Sequence, residues 1–197
     1  MSAVPSTMLP LGTELPEFRL QNAVDGRTVS PADYADRPAV LVMFICNHCP
    51  YVQHVKREIG RVAGDYAPRG VAIVAISSND IAAYPDDAPD KMQALARAEG
   101  WQFPYLYDEA QTVARAFHAA CTPEFYLFDT ARKLVYRGQM DDSRPKNGVP
   151  VTGKDLRAAL DALLAGEPIA SQQTPSVGCN IKWKRGNEPA YFAAPAH

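Results

Sequence analysis

Two continuous apolar runs separated by an amphipathic stretch place the strongest constraint on the fold of this chain. AVLVMFI covers residues 39–45 and VAIVAIS covers residues 71–77. Uninterrupted apolar runs of this length are typical of strands that are covered on both faces. Between them, apolar residues recur at the three- and four-residue steps of a helix face: Val52, Val55, Ile59, Val62 and Tyr66. This order predicts two buried strands joined by a crossover helix.

The rest of the chain predicts a mixed central sheet with helices on both faces. Residues 12–38 are typical of an N-terminal β-hairpin with its turn at Asp25-Gly26. EFYLFD and KLVYRG, at residues 124–129 and 133–138, are typical of an antiparallel pair. We expect further helices at about residues 90–99, 109–120 and 156–164, and a short strand in FPYLYD at residues 103–108.

Length and composition indicate one domain of the α/β class. The chain has 197 residues, of which 47% are apolar and 21% charged, which is enough to bury a core without a disulfide framework. We expect a lead at residues 1–11, the domain at 12–166 and an irregular extension at 167–197. Periodicity disappears in that extension, where Trp183 and Tyr191 are expected to fold back over the domain.

Charge and hydropathy argue against several classes of partner. The net charge is −2 with both signs interspersed, so we expect neither nucleic acid nor a membrane surface as a partner. The N-terminus lacks the basic and apolar regions of a signal peptide, and we expect a cytoplasmic protein. In a reducing compartment, two of four cysteines standing close together favour redox or metal chemistry over a structural disulfide.

The closely spaced cysteines are Cys46 and Cys49, in the stretch VMFICNHCPYVQHV. Cys46 is at the end of the first apolar run, and Cys49 opens the helix that follows. A helix N-terminus offers free N–H groups and the positive end of the helix dipole, both of which favour a thiolate. Pro50 suits the first helical turn, where no N–H is needed. A CxxC at this place indicates a redox pair.

Asn47 and His48 stand between the two cysteines. A partly protonated imidazole at His48 would stabilise a thiolate and raise the reduction potential of the pair. The alternative is that His48 points into solvent.

The order strand, CxxCP, helix, strand, then CTPEFYLFD at residues 121–129, resembles the thioredoxin fold. The resemblance implies a cis peptide bond between Thr122 and Pro123, facing the CxxC and exposing backbone groups to an extended thiol substrate. With the N-terminal hairpin it covers residues 12–164. The CxxC together with GCNIKWK, at residues 178–184, resembles a peroxiredoxin-like group related to the AhpC/TSA and redoxin proteins.

One departure from that family bears on the reaction. Peroxiredoxins have a proline and a threonine seven and three residues before the peroxidatic cysteine. If Cys49 takes that place, Val42 and Cys46 stand there instead. Dithiol exchange is therefore favoured over peroxidase chemistry. By resemblance to thioredoxins, Cys46 is the exposed nucleophile of low pKa and Cys49 is the resolving thiol. By resemblance to peroxiredoxins, Cys49 is the attacking sulfur. We favour the first alternative.

The sequence thus predicts a thiol-disulfide oxidoreductase that acts on a disulfide-containing protein or a small thiol or hydroperoxide substrate, with an external dithiol as electron donor. The sulfurs of Cys46 and Cys49 would be the redox centre, so neither a cofactor nor a metal is expected. One alternative is a thiol peroxidase using Cys49. Another, of a different class, is a metal-binding or metallochaperone module in which Cys46, Cys49, His48 and Cys121 form a set of ligands.

Two further cysteines are candidate extra thiols. Cys121 is more simply a packing residue, and Cys179 is either a distal resolving thiol or part of a lid. The remaining titratable residues are expected to be solvated, capping or turn residues: His54, His118, Asp65, Asp86, Asp87, Asp141 and Asp142.

Overall fold

The structure, a computed structural model, describes residues 3–192. Its strands, numbered in chain order, are β1 (Ala3–Pro5), β2 (Leu20–Asn22), β3 (Thr28–Val29), β4 (Ala39–Phe44), β5 (Val71–Ser77), β6 (Tyr105–Tyr107), β7 (Cys121–Thr122), β8 (Glu124–Phe128), β9 (Leu134–Gly138) and β10 (Val177–Asn180). Its α-helices are α1 (Pro50–Tyr66), α2 (Pro89–Ala98), α3 (Thr112–Ala116) and α4 (Lys154–Ala165).

The main sheet has seven strands in the order β3-β2-β6-β5-β4-β8-β9. The strand β5 runs parallel to both β4 and β6, and the other neighbours are antiparallel. The predicted mixed sheet and both predicted hairpins, β2-β3 and β8-β9, are confirmed. Every residue of β4 and β5 is buried, as their uninterrupted apolar sequences require.

Alternate residues of the central strands face two separate cores. Leu41 and Met43 of β4 join the core that also contains the buried faces of α1, α2 and α4. Val40 and Val42 join the second core, which α3 and the N-terminal segment cover. Helices therefore lie on both faces of the sheet. No helix within residues 3–192 has the length and apolar character that crossing a bilayer would require.

The helix predicted at residues 109–120 is shorter than expected. It forms only at α3, and the side chain of Asp108 before it accepts the N–H of Ala114 and the hydroxyl hydrogen of Ser78, at 2.9 Å in both cases. The backbone is left-handed at Gln111 and His118, with φ of 59° and 50°, so the helix cannot extend through either residue.

A second, three-stranded sheet was not predicted. Its order is β1-β10-β7, and all its pairings are antiparallel. It joins the N-terminal lead to the C-terminal extension, and it attaches both to the short strand that precedes Pro123. In the part of the extension that the structure describes, residues 167–192, there is one regular strand, β10, which lies beside the predicted site.

Candidate redox site

The two cysteines of the CxxC lie where β4 gives way to α1. Cys49 is the N-cap of α1, and Pro50 occupies its first turn, as predicted. Both cysteines are free thiols and both are buried, with Cys46 1% and Cys49 0% exposed. The expectation that Cys46 is an exposed thiol is therefore wrong: the loop folds inward against β7 and the network around Asp87.

Thr122 contacts both sulfurs. Its hydroxyl oxygen lies 3.3 Å from Cys46 Sγ, and its carbonyl oxygen lies 3.2 Å from Cys49 Sγ. The Thr122-Pro123 peptide bond is cis, as the family resemblance implied. The structure thus brings together Cys46, Cys49 and Thr122 from segments more than 70 residues apart in sequence.

The arrangement of hydrogen-bond donors favours the thiolate at Cys49. Hydrogen bonding from the thiols of Cys179 and Cys46 lowers the pKa of Cys49 and outweighs burial, which raises it. The same contact raises the pKa of Cys46 well above its ordinary value, because its thiol keeps the proton that it donates; burial raises it further. The low pKa expected at Cys46 is found instead at Cys49.

His48 does not point into solvent, because a buried carboxylate holds it. Its Nδ1 lies 2.6 Å from Oδ2 of Asp87, and its ring stacks on Tyr84 at a centroid distance of 5.2 Å. Hydrogen bonding to Asp87 raises the pKa of His48. Burial raises the pKa of Asp87, but hydrogen bonds from His48 and Asn79 outweigh burial and leave that pKa below its ordinary value.

Asp87 was expected to be a surface charge, and that expectation is wrong. Its side chain is 0% exposed, and besides His48 Nδ1 it accepts the N–H groups of Asn47 and His48, at 2.7 and 3.1 Å, and the amide of Asn79 at 2.7 Å. One carboxylate therefore fixes the backbone between the two cysteines. Its sequence context, YPDDAPD, carries turn signals only and gives no sign of this contact.

Asn47 ties the same loop to the sheet. Its side-chain amide donates to the carbonyl of Asp86 at 2.9 Å, and its side-chain oxygen accepts from the hydroxyl of Tyr105 at 3.1 Å. Gln53 donates to the backbone carbonyl of Asn47 at 2.6 Å. The residues between the cysteines therefore act as a positioned loop.

Cys179 belongs to the same buried cluster as Cys46 and Cys49. It is the third of the four residues of β10, where it is in register with Thr122 on β7 and is 2% exposed. Hydrogen bonding to Cys49 and burial raise the pKa of the Cys179 thiol. Thr122 was expected to offer its backbone to an extended substrate, but in the structure β10 already pairs with β7 at this position.

Cys121 lies apart from this group of sulfurs. Its own sulfur is 4.0 Å from the Pro123 carbonyl oxygen and from a carboxylate oxygen of Glu124, and burial raises its pKa. Within residues 3–192, one group of side chains is spaced closely enough to hold a metal ion. It consists of Cys46, His48 and Asp87, whose ligand atoms lie within 4.8 Å of one another. The proposed set that included Cys121 does not form.

Of the other residues that were predicted to be solvated, capping or turn residues, two histidines contact neighbouring side chains and one aspartate is buried. His54 Nε2 lies 2.7 Å from the hydroxyl of Ser143, and His118 stacks on Tyr191 at 5.1 Å, which confirms that Tyr191 folds back onto the domain. Asp141 is buried, contrary to expectation, because its carboxylate accepts three backbone N–H groups of the loop that follows: those of Ser143, Thr152 and Gly153.

A thioredoxin-like mixed sheet, with two thiols where the buried strand β4 gives way to the helix α1, defines a thioredoxin-fold protein with a dithiol site. Residues 11–137 match the model of the AhpC/TSA family, and the chain belongs to that family.

Three known proteins are similar to this chain. The solved structure of an uncharacterized conserved protein from Geobacillus kaustophilus is 57% identical, with a TM-score of 0.91 and coverage of 93% of this chain and 97% of that one. "Putative peroxiredoxin Rv2521" of Mycobacterium tuberculosis is 29% identical over 121 residues, which are 61% of this chain and 71% of the relative. Peroxidoxin BcpB of the same organism, 18% identical, shares the fold, with a TM-score of 0.58 and coverage of 79% of this chain and 96% of that one.

Proposed function

We propose that this protein is a thiol-disulfide oxidoreductase in which Cys46 and Cys49 cycle between a dithiol and a disulfide. The observation that carries the proposal is the convergence of the two sulfurs on Thr122, with Cys49 at the start of α1. Hydrogen bonding from two thiols also lowers the pKa of Cys49. A thiolate is the nucleophile in disulfide exchange, so a sulfur stabilised in this way is the one prepared to react.

The reaction proceeds in two exchanges. The Cys49 thiolate attacks one sulfur of a substrate disulfide, forming a mixed disulfide and releasing the other substrate sulfur as a thiolate that takes up a proton. Cys46 then loses its proton and attacks Cys49 Sγ, which closes the Cys46–Cys49 disulfide and releases the second substrate thiol. The substrate gains two electrons and two protons, and an external dithiol returns the protein to its reduced form.

This order reverses the one that the sequence favoured. Cys46 keeps its proton in the reduced pair, since it donates that proton to Cys49. It becomes a nucleophile only after Cys49 has reacted and no longer carries a negative charge. Both sulfurs are buried, so the attack requires local opening around the pair. The sulfurs themselves carry the electrons, and the proposal needs no cofactor.

A second candidate function, thiol peroxidase, rests on the same thiolate. The family resemblance gives Cys49 the peroxidatic position, and the pKa of Cys49 is lowered. Its thiolate would attack a hydroperoxide, releasing an alcohol and leaving a sulfenic acid, and Cys46 would close the disulfide with loss of water. The residue at the usual threonine position is Cys46, which is why disulfide exchange comes first.

The test compares two substrates at equal concentration, a peptide disulfide and an organic hydroperoxide, with a thioredoxin-like dithiol as donor. We expect wild-type protein to consume donor with the disulfide, and Cys49→Ser to lose this activity at least 100-fold. Cys121→Ser, which changes a buried thiol outside the pair, is the matched control and is expected to behave as wild type. Turnover with hydroperoxide alone would assign the peroxidase function instead. If neither substrate is consumed, both proposals fail.

A further inference from the structure

The strand β10 occupies an edge that an extended partner chain would otherwise use. It pairs with β7 on one side, through Cys179 with Thr122 and Asn180 with Cys121, and with β1 on the other. Addition of an extended strand to a free sheet edge is a general mode of peptide binding. Here the added strand belongs to the same chain and presents a cysteine to the site.

The approach of β10 to β7 is very close at Gly178. A Cβ atom at this position would lie 2.0 Å from the carbonyl oxygen of Thr122, so only glycine fits without movement of the backbone. The same carbonyl lies 3.2 Å from Cys49 Sγ. Gly178 therefore allows β10 to lie against the residue that also contacts Cys49.

Both ends of β10 are anchored to the body of the protein. Before it, the Ser176 hydroxyl donates to the Gly138 carbonyl at 2.5 Å. After it, the N–H of Lys182 donates to the side-chain oxygen of Asn79 at 2.8 Å, and Asn79 also donates to Asp87 at 2.7 Å. The strand that carries Cys179 is thus connected to the carboxylate that holds the CxxC loop.

We propose that Cys179 is a third redox thiol, and that Cys49 is shared between two alternative disulfides, Cys46–Cys49 and Cys49–Cys179. The proposal rests on the proposed function, since the Cys46–Cys49 disulfide is its starting state. Its basis is geometric: Cys179 is in register with Thr122, whose hydroxyl oxygen lies 3.3 Å from Cys46 Sγ and whose carbonyl oxygen lies 3.2 Å from Cys49 Sγ, and all three cysteines are buried in one cluster.

The exchange between the two disulfides is balanced without another reactant. Cys179, as a thiolate, attacks Cys49 Sγ; the Cys49–Cys179 bond forms, the Cys46–Cys49 bond breaks, and Cys46 takes up the proton that Cys179 lost. No electrons enter or leave the protein. Once Cys49 is in a disulfide, its charge no longer holds the proton on Cys179, while the charge of Lys182, which lowers the pKa of Cys179, remains.

The experiment maps disulfides in the full chain. Fully reduced protein is treated with oxidised glutathione at pH 7, quenched with acid, alkylated and digested without reductant for mass spectrometry. Wild type is compared with Cys46→Ser, Cys179→Ser and the control Cys121→Ser. Circular dichroism checks that each variant is folded, and Cys46→Ala replaces Cys46→Ser if that variant is not.

We expect both disulfides in wild type and in Cys121→Ser, only Cys49–Cys179 in Cys46→Ser, and only Cys46–Cys49 in Cys179→Ser. The proposal is overturned if Cys179 remains fully alkylated in wild type and in Cys46→Ser while Cys179→Ser still closes Cys46–Cys49. Failure of the proposed function gives a different result, because Cys179→Ser then forms no Cys46–Cys49 disulfide and turns over no disulfide substrate.

Discussion

At the scale of single residues, one buried carboxylate determines the shape of the CxxC loop. Asp87 accepts hydrogen bonds from two consecutive backbone N–H groups, from the His48 ring and from Asn79. Burying a carboxylate is costly unless it is paired and hydrogen-bonded. These four contacts offset that cost and hold the pKa of Asp87 below its ordinary value, and the carboxylate in turn raises the pKa of His48, next to Cys46.

Replacing Asp87 with Asn is expected to lower the pKa of His48 and to destabilise the protein by about 1–3 kcal/mol. Because the pKa of His48 is raised, this residue contributes stability to the folded protein below about pH 6.5. That contribution is lost as the pH rises through the folded-state pKa. Because the pKa of Asp87 is lowered, this residue contributes stability above about pH 3.8. That contribution is lost as the pH falls through the folded-state pKa of Asp87. The difference from wild type should therefore be larger at pH 5.5 than at pH 8.5.

Urea unfolding at the two pH values, with NMR titration of the His48 ring, measures this effect. The control is Asp86→Asn, which removes the same charge from the exposed neighbouring position. An unchanged His48 pKa in Asp87→Asn would show that the ion pair does not set the charge of the loop.

At the scale of elements, the contact between β7 and β10 joins the C-terminal extension to the dithiol. The two strands have two pairs of residues in register, so the pairing depends on close packing more than on its length. Gly178 and the carbonyl of Thr122 provide that packing. Adding one methyl group at Gly178 tests whether the position of β10 determines the reactivity of Cys179.

Gly178→Ala is expected to displace β10, to cost about 1–3 kcal/mol and to make Cys179 react faster with an alkylating reagent. The matched control is Gly64→Ala, since Gly64 is exposed within α1 and has open space where its Cβ would be. That change should stabilise the protein by about 0.5–1 kcal/mol. Denaturant midpoints and alkylation rates measure both effects, and equal Cys179 alkylation rates in the two variants would be evidence against the role given to β10.

At the scale of the whole molecule, the two alternative disulfides constrain the chain very differently. Cys46 and Cys49 are separated by two residues, whereas Cys49 and Cys179 are 130 positions apart. In the chain-entropy description, a crosslink stabilises the folded protein by restricting the unfolded chain, and the restriction grows with loop length. The position of the disulfide is therefore expected to change global stability as well as local chemistry.

Oxidised Cys46→Ser, with its Cys49–Cys179 disulfide, should gain about 3 kcal/mol more stability over its own reduced form than oxidised Cys179→Ser gains over its own. Guanidinium unfolding with and without reductant measures both differences. Equal gains would mean that Cys179 is not joined to Cys49 in the oxidised protein.

Features of the structure that depend on contacts between residues close in sequence could be predicted from the sequence, whereas features that depend on distant residues could not. The strands β4 and β5, the helix α1 and the place of Cys49 at its N-terminus follow from local periodicity and from Pro50. The strand β10 is four residues long, and its partners β7 and β1 lie far away in sequence. The role of Asp87 likewise depends on contacts with residues far from it in sequence, and the turn-like segment around Asp87 has no pattern that predicts them. The same limit applies to the order of attack that we propose for the two thiols, because it depends on hydrogen bonding from the distant Cys179, which lowers the pKa of Cys49.

The most direct test of this account is the thiolate ultraviolet absorbance of reduced protein as a function of pH, measured for wild type, Cys46→Ser and Cys49→Ser. Absorbance reports a buried thiolate without requiring a reagent to reach it. The account predicts that wild type and Cys46→Ser both show a thiolate with a pKa well below the free value of about 8.5, and that Cys49→Ser shows none. A low pKa that persists in Cys49→Ser and disappears in Cys46→Ser would contradict it and would make Cys46 the nucleophile.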